Sequence, residues 1–314
     1  MNTAPVTVER FYNDTAGRLG LTLLGDGKGL DRVIREPTVN RPGLALAGFK
    51  KYFAPRRVQV VGNVETAYLK TLDPELRWKR YRDLFASRIP CVVLCRGLKP
   101  DPDFLECAAK AGIPVLQTAL VTMKFINLAT LSLESLFAPR TQVHGSFVDI
   151  QGIGVIIEGK SGIGKSEAVL GLLERGYSLV SDDITRLHLV DGRHVFGSGK
   201  ELTRNLMEVR GIGIIDVAAM FGVAAIRFEK QVDLVVTLKE WDPAEDVDRL
   251  GLDERTVTLL GVPIPRMEIP VRPGRDLARL VEVAAFQTKL RLQGINPARD
   301  LSRRLSEAMG VVKP

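Results

Sequence analysis

GKSGIGKS, residues 159–166, places three glycines, two lysines and two serines in eight positions, a composition that packs no core. It fits the phosphate-loop pattern GxxxxGK[ST], with Gly159, Gly164, Lys165 and Ser166 at the fixed positions and Lys160, Ser161, Gly162 and Ile163 between them. Glycines let backbone N–H groups turn inward around phosphate oxygens, and a following helix adds its positive end. In that chemistry the lysine reaches the β and γ phosphates and the serine hydroxyl faces Mg²⁺. Lys160 and Ser161 are the variable, solvated members of the loop.

The surroundings supply the context the motif needs. Upstream, FVDI (147–150) and GVIIE (154–158) read as two short strands flanking a turn around Gly152 and Gly154. Downstream, Val169, Leu172 and Leu173 share one helical face and Gly176 stops the helix. YSLVSDDIT (177–185) is then an apolar strand ending in Asp182 and Asp183. Carboxyl ends of strands line the ligand crevice of an open α/β sheet, so these aspartates are expected beside the γ-phosphate, able to take a proton or to hold a metal-bound water. An Asx turn is the structural alternative. VDLVVTLKE (232–240) is a good strand that ends in lysine and glutamate rather than in a Walker B aspartate, which disfavours an ordinary motor ATPase or GTPase.

Three further residues carry little signal by themselves. Glu208 and Arg210, in LMEVRGIGIID (206–216), read as a surface ion pair ahead of a glycine-flanked strand. His144, in QVHGSF, reads as a hydrogen-bonded structural histidine, and Arg249, in DVDRLG, as a surface arginine. GRDLARLVEVAAFQTKLRLQG (274–294) has helical apolar spacing at Leu277, Leu280, Val281 and Ala284, which predicts core packing, with a subunit or partner contact as the alternative.

The N-terminal half alternates in the same way. RRVQVVG (56–62) and the VVLC of SRIPCVVLCRG (87–97) are strands. DPDFLECAAKAGIPVLQT (101–118) is a helix with an aspartate start, a stop at Gly112 and a following strand. This alternation predicts a parallel α/β unit. FINLATLSLESLFAP (125–139) is helical and ends at Pro139. The expected organisation is an N-terminal α/β domain over residues 1–132, regulatory or oligomer-forming, and a C-terminal catalytic domain over 133–314.

A chain of 314 residues suits two domains. Hydrophobic residues at 45% and charged residues at 26% are those of a globular protein, and no apolar run reaches the ~20 residues of a membrane span. The first residues lack the basic start and apolar block of a secretory signal. Cys91, Cys95 and Cys107 are odd in number and lack CxxC spacing, so reduced, buried thiols in a cytoplasmic protein are expected. The formal charge of +7 is dispersed among acids, as in RWKRYRD (77–83). It forms no nucleic-acid stripe and suits a phosphate-bearing or acidic protein partner instead.

Together, VHGSFVDIQGIGVIIEGKSGIGKSEAVLGLLERGYSLVSDD (143–183) and EVRGIGIIDVAAMFG (208–222) resemble the bifunctional HPr kinase/phosphorylase family of bacteria. The resemblance extends through CVVLCRGLKPDPDFLECAAKAGIPVLQT (91–118) and the APRTQVHG junction (138–145) to nearly the whole chain. It implies a hexameric cytoplasmic enzyme that uses ATP or pyrophosphate to phosphorylate a regulatory serine of the phosphocarrier HPr. It also implies the reverse reaction, in which inorganic phosphate attacks the phosphoserine and releases pyrophosphate. The catalytic half of that family is similar to phosphoenolpyruvate carboxykinases at the nucleotide site, which accounts for the missing Walker B. By position, the resemblance makes Lys165 the phosphate residue, Ser166 and Glu208 magnesium ligands, and His144 and Arg249 catalytic. It puts the general base in the aspartate pair, with Asp183 favoured and Asp182 assisting, and matches PVRPGR, the residues Pro270, Val271, Arg272, Pro273, Gly274 and Arg275, to a loop tied to dephosphorylation. The competing reading is a small-molecule kinase of the carboxykinase type.

Overall fold

The computed structural model describes residues 5–242 and 255–308. Contacts divide the chain into two compact units, with the division between Ala138 and Pro139. Residue 132, where a boundary was expected, lies within a continuous helix, Thr122–Phe137.

The N-terminal unit contains α1 (Val8–Leu19), β1 (Leu21–Leu24), β2 (Val39–Asn40), α2 (Gly43–Leu46), β3 (Val58–Val61), α3 (Asn63–Lys70), α4 (Pro74–Phe85), β4 (Val92–Leu94), α5 (Pro102–Ala111), β5 (Val115–Thr118) and α6 (Thr122–Phe137). Its sheet has the order β1-β5-β4-β3-β2. β2 to β5 are parallel, as the alternation of elements predicts, and β1 joins the edge antiparallel to β5. Helices cover both faces of the sheet, so β3 and β4 are buried throughout; β4 is continuously apolar, and β3 is apolar but for Gln59, whose amide donates to the Ala54 and Arg57 carbonyls. Val58, Val60, Val93 and Leu116 pack under Phe11, Phe125 and Leu133, while Val61, Leu94 and Val115 pack under Leu84, Phe85 and Phe104.

The local signals in this unit do what their chemistry predicts. Asp101 caps α5 by accepting from the Asp103 N–H at 3.1 Å, and Gly112 ends it in the left-handed region at φ 60°. All three cysteines are free and buried, and burial pushes the Cys91 thiol up to about 12 and Cys95 to about 11. Protonated at neutral pH, they serve as small apolar packing groups.

The C-terminal unit contains β6 (Arg140–His144), β7 (Ser146–Ile150), β8 (Ile153–Gly159), α7 (Lys165–Glu174), β9 (Ser178–Ser181), β10 (Ile184–Val190), β11 (His194–Ser198), β12 (Leu206–Val209), β13 (Gly213–Asp216), α8 (Val217–Phe221), β14 (Glu229–Gln231), β15 (Leu234–Glu240), β16 (Thr256–Leu259), β17 (Val262–Val271), α9 (Leu277–Leu292) and α10 (Pro297–Ala308). A six-stranded sheet of order β16-β17-β15-β8-β7-β9 forms its base, beside a four-stranded sheet β14-β11-β10-β6 and the hairpin β12-β13. β8, β15 and β17 are parallel. β7 is antiparallel to both β8 and β9, so β8 and β9 run the same way and their carboxyl ends lie on one side of the sheet.

α7 and α9 pack together on this sheet. Val169, Leu172 and Leu173 meet Val281, Ala284 and Ala285 over Val155, Ile157, Leu234 and Val236, so the apolar face of α9 is core. The β7–β8 turn is made by Gln151 and Gly152, at φ 50° and 88°. Gly154 was expected in that turn, but it lies inside β8, where a Cβ would come within 1.9 Å of the Gln231 carbonyl oxygen. Close backbone approach, not turn geometry, is why glycine stands there.

Candidate active site

The phosphate loop joins β8 to α7 directly, since β8 ends at Gly159 and α7 begins at Lys165. Gly164 precedes the helix at φ 107° with no side-chain cap, which leaves the first-turn N–H groups of α7 open to an anion. Lys165 Nζ folds back over the loop, donating to the carbonyls of Gly159 at 2.9 Å and Lys160 at 3.0 Å. Lys160 pairs across the surface with Glu240 at 3.5 Å, both side chains being largely exposed, so solvent screens the contact.

Asp182 and Asp183 follow β9 and play different parts. Asp182 is fully engaged: Oδ1 accepts from the Ser146 hydroxyl at 2.8 Å and Oδ2 from the Glu208 N–H at 3.1 Å. Ser146 is buried at the start of β7, so the pairing of β7 with β9 fixes this contact. Asp183 sits at φ 61°, in a turn closed by the Ile184 N–H on the Asp182 carbonyl at 2.7 Å, the pattern of the rare, strained γ-turn. Its own carbonyl accepts from the Gly145 N–H at 2.8 Å. The Asp183 carboxylate is exposed and has no hydrogen-bond or ion-pair partner among the described residues. The Asx turn weighed from sequence is not formed, because the Asp182 oxygens reach other strands instead.

His144 ends β6, opposite Ile184 in β10, one residue from each of the two ends of the Gly145–Asp183 bond. Glu208 lies on β12 with its side chain exposed and its backbone tied to Asp182. The ion pair expected between Glu208 and Arg210 is not present among the described residues. The hairpin instead carries Arg210 over the loop, where a Cβ on Gly162 would stand 2.9 Å from its guanidinium nitrogen. Arg210 therefore faces the phosphate cradle, a placement that local sequence could not reveal because the β12–β13 hairpin is positioned by the distant Asp182.

Pro270 and Val271 end β17, Arg275 N–H closes a turn on the Arg272 carbonyl at 3.2 Å, and Gly274 has φ 78°. The Arg272 guanidinium stacks 3.9 Å from the Trp241 ring centroid. Pro273, Val271 and Trp241 line one side of a 380 Å³ cavity whose other side is Ser161, Gly162 and Ile163 of the phosphate loop. PVRPGR and the loop thus share one cavity. Arg249 lies outside the described residues.

Glu158, the last side chain before Gly159, is held above the ordinary carboxylate range by burial, which the nearby Arg266 guanidinium only partly opposes. No cluster of three His, Cys, Asp or Glu side chains suited to a metal occurs among the described residues. Among those residues no helix is long and apolar enough to cross a membrane.

Comparison with known proteins settles the family. Residues 135–305 match the HPr Serine kinase C-terminal domain and residues 6–133 the HPr Serine kinase N terminus. The chain belongs to the HPr serine kinase family. The HPr kinase/phosphorylase of Chloroherpeton thalassium is 42% identical over 304 residues, covering 96% of this chain and 89% of that protein. The HPr kinase/phosphorylase of Geobacillus kaustophilus is 40% identical over 296 residues, covering 94% and 95%. Among solved structures, the Hpr(Ser) kinase/phosphatase of Coxiella burnetii aligns at 32% identity and TM-score 0.46, covering 53% of this chain and 99% of that one. As a member of the HPr serine kinase family the chain has both of the family's domains in order, and its glycine loop and aspartate pair fall within the C-terminal one.

Proposed function

We propose that this chain transfers phosphate from ATP or pyrophosphate to a regulatory serine of HPr, and that with inorganic phosphate it runs the reverse phosphorolysis, releasing pyrophosphate. The observation that carries this reading is the pairing, in an HPr serine kinase family member, of an open glycine loop with an exposed, unpartnered Asp183 on the same side of the sheet.

Phosphoryl transfer asks the protein mainly for positioning and charge neutralisation. The loop amides, Lys165 and Arg210 bind the donor phosphates. Mg²⁺ takes oxygen donors and keeps waters, needing one or two protein oxygens besides the substrate phosphates. The Ser166 hydroxyl and the Glu208 carboxylate, neither bonded to another described side chain, would supply those oxygens. When bound, the ion would neutralise negative charge on the donor phosphates. Asp183 accepts the proton of the serine hydroxyl as its oxygen forms the new P–O bond and the donor's bridging P–O bond breaks. In reverse, a phosphate oxygen forms the bond to phosphorus, the serine P–O bond breaks, and protonated Asp183 returns its proton to the serine oxygen. Asp182 holds the Glu208 strand in place. His144, beside Asp183, orients the reacting group, Arg249 balances charge on it, and the loop Pro270–Arg275 serves the phosphorolytic direction.

The cavity bounded by Trp241 and Pro273 has room for the nucleoside part of ATP, whereas pyrophosphate needs only the loop. An exposed rim of His144, Asp183, Glu208, Ile212 and Ile214 suits a protein acceptor better than the closed pocket a small-molecule kinase requires. The N-terminal domain serves regulation or assembly, and a cytoplasmic homohexamer is the expected form, readable by sedimentation.

Incubating purified HPr with this protein, ATP and Mg²⁺, then with excess phosphate, and following phosphoserine by mass spectrometry tests the reading. Lys165→Ala should lose both directions, and Asp183→Asn should bind ATP but transfer nothing. A fully active Asp183→Asn enzyme would remove the base assignment, and an unmodified HPr would remove the substrate.

A further inference from the structure

The N-terminal unit holds a 230 Å³ cavity of its own, unrelated to the phosphate loop. Its floor is Val61 and Leu94, the last residues of the parallel strands β3 and β4, and the carboxyl ends of parallel strands are where open α/β sheets take ligands. Phe104 from α5 completes an apolar base.

The walls are cationic. Lys70 from α3, Arg77 from α4 and Lys99 from the loop before α5 line the cavity against one carboxylate, Asp101. Asp101 is already committed three ways: it caps α5 at the Asp103 N–H, accepts from the Tyr81 hydroxyl at 3.4 Å, and lies 3.4 Å from Arg77 Nε. Arg77 Nε lies within ion-pair reach of that carboxylate but is buried and makes no hydrogen bond. Lys70 and Lys99 are exposed and have no ion-pair partner among the described residues. Asp103, the next carboxylate on α5, is not part of the lining. Three cations against one carboxylate leave two positive charges uncompensated around an apolar floor, with the amino end of the ten-residue α5 adding to them.

We propose that this cavity binds a small phosphate monoester, its dianionic head among Lys70, Lys99 and Arg77 and its apolar body on Val61, Leu94 and Phe104. A monoester carries about −1.5 to −2 charge at neutral pH, matching the surplus. The volume lies just under the ~300 Å³ at which drug-sized sites begin, which limits the ligand to a compact skeleton.

Phenyl phosphate is a suitable probe for the full-length chain, with the methyl groups of Leu69, Leu94 and Leu98 read by NMR. Saturable shifts at these methyls are expected. Lys70→Gln with Lys99→Gln should weaken binding at least tenfold with unchanged HPr phosphorylation, and Lys165→Ala should leave it intact, which separates this site from the catalytic one. Phenol and benzoate should bind at least tenfold more weakly. No shift at these methyls, equal binding by the double variant, equal binding of phenol or benzoate, or loss of the signal in Lys165→Ala would each overturn the proposal.

Discussion

The Ser146 hydroxyl donates to Asp182 Oδ1 at 2.8 Å, and the other oxygen of Asp182 takes the Glu208 N–H. One buried serine thereby holds the carboxylate that anchors the hairpin carrying Glu208 and Arg210, while the adjacent Asp183 carboxylate is exposed and has no partner among the described residues. A hydrogen bond to a charged group contributes about 1.5–3 kcal/mol. Ser146→Ala should lower the melting temperature and, by loosening the hairpin that carries Glu208 and Arg210, reduce both phosphoryl transfer and ATP affinity, measured by a phosphoserine assay beside a nucleotide titration. Unchanged transfer would mean that the hairpin needs no such anchor.

Arg210 should matter more to rate than its exposed position suggests. A guanidinium aimed at developing phosphate charge is worth about a hundredfold in turnover when deleted. Arg210→Ala is expected to show a loss of that order with an unaltered melting curve. Gly162→Ala, whose Cβ would press on the same guanidinium from a residue at φ 79°, should lose roughly tenfold. Equal activity of both variants to wild type would show that Arg210 stays clear of the phosphates.

Glu158 makes a pH-dependent prediction. Burial raises its folded-state pKa above the ordinary value of 4.5, so above pH 4.5 ionisation favours the unfolded chain, and stability is lost as pH rises through the folded pKa. Glu158→Gln has no charge to lose. Its melting temperature should match wild type near pH 4 and exceed it near pH 8. A gap that is constant with pH, or of opposite sign, would contradict the burial argument.

A glycine in the β7–β8 turn and one in the strand that follows it should respond differently to alanine. At Gly154 a Cβ would lie 1.9 Å from the Gln231 carbonyl oxygen, and backbone cannot yield as a side chain does. Gly154→Ala should cost at least ~3 kcal/mol, the upper end of ordinary overpacking. At Gly152 there is open space and only the left-handed φ of 88° to oppose a side chain, so Gly152→Ala should cost about 1–2 kcal/mol. Thermal denaturation of the two variants gives the comparison, and similar losses would refute the close-approach explanation.

Elements with a strong local signal were legible in the sequence. Asp101 and Gly112 bracket α5, the valine- and leucine-rich β3, β4 and β15 are strands, and GKSGIGKS joins a strand to a helix, because capping, φ preference and burial pattern all act within a few residues. The short strand β2 and helix α2 carried no such signal. Helices α3 and α4 bury only Glu65 and Leu69, and Tyr81, Leu84 and Phe85, too sparse a stripe to stand out, whereas α1 carries a regular one at Val8, Phe11, Thr15 and Leu19. The antiparallel edge strand β1 and the strand position of Gly154 depend on partners far along the chain.

By itself, the order of residues determined two α/β domains, the phosphate loop and the family, since each rests on local chemistry or on long matched stretches. Only the tertiary structure decided which of the two aspartates is engaged by its neighbours and where Arg210 points. Ser146, Asp182 and Glu208 are separated in sequence by 36 and 26 positions, and a hydrogen bond across such spans exists only after β7 has paired with β9 and the hairpin has folded back beside it.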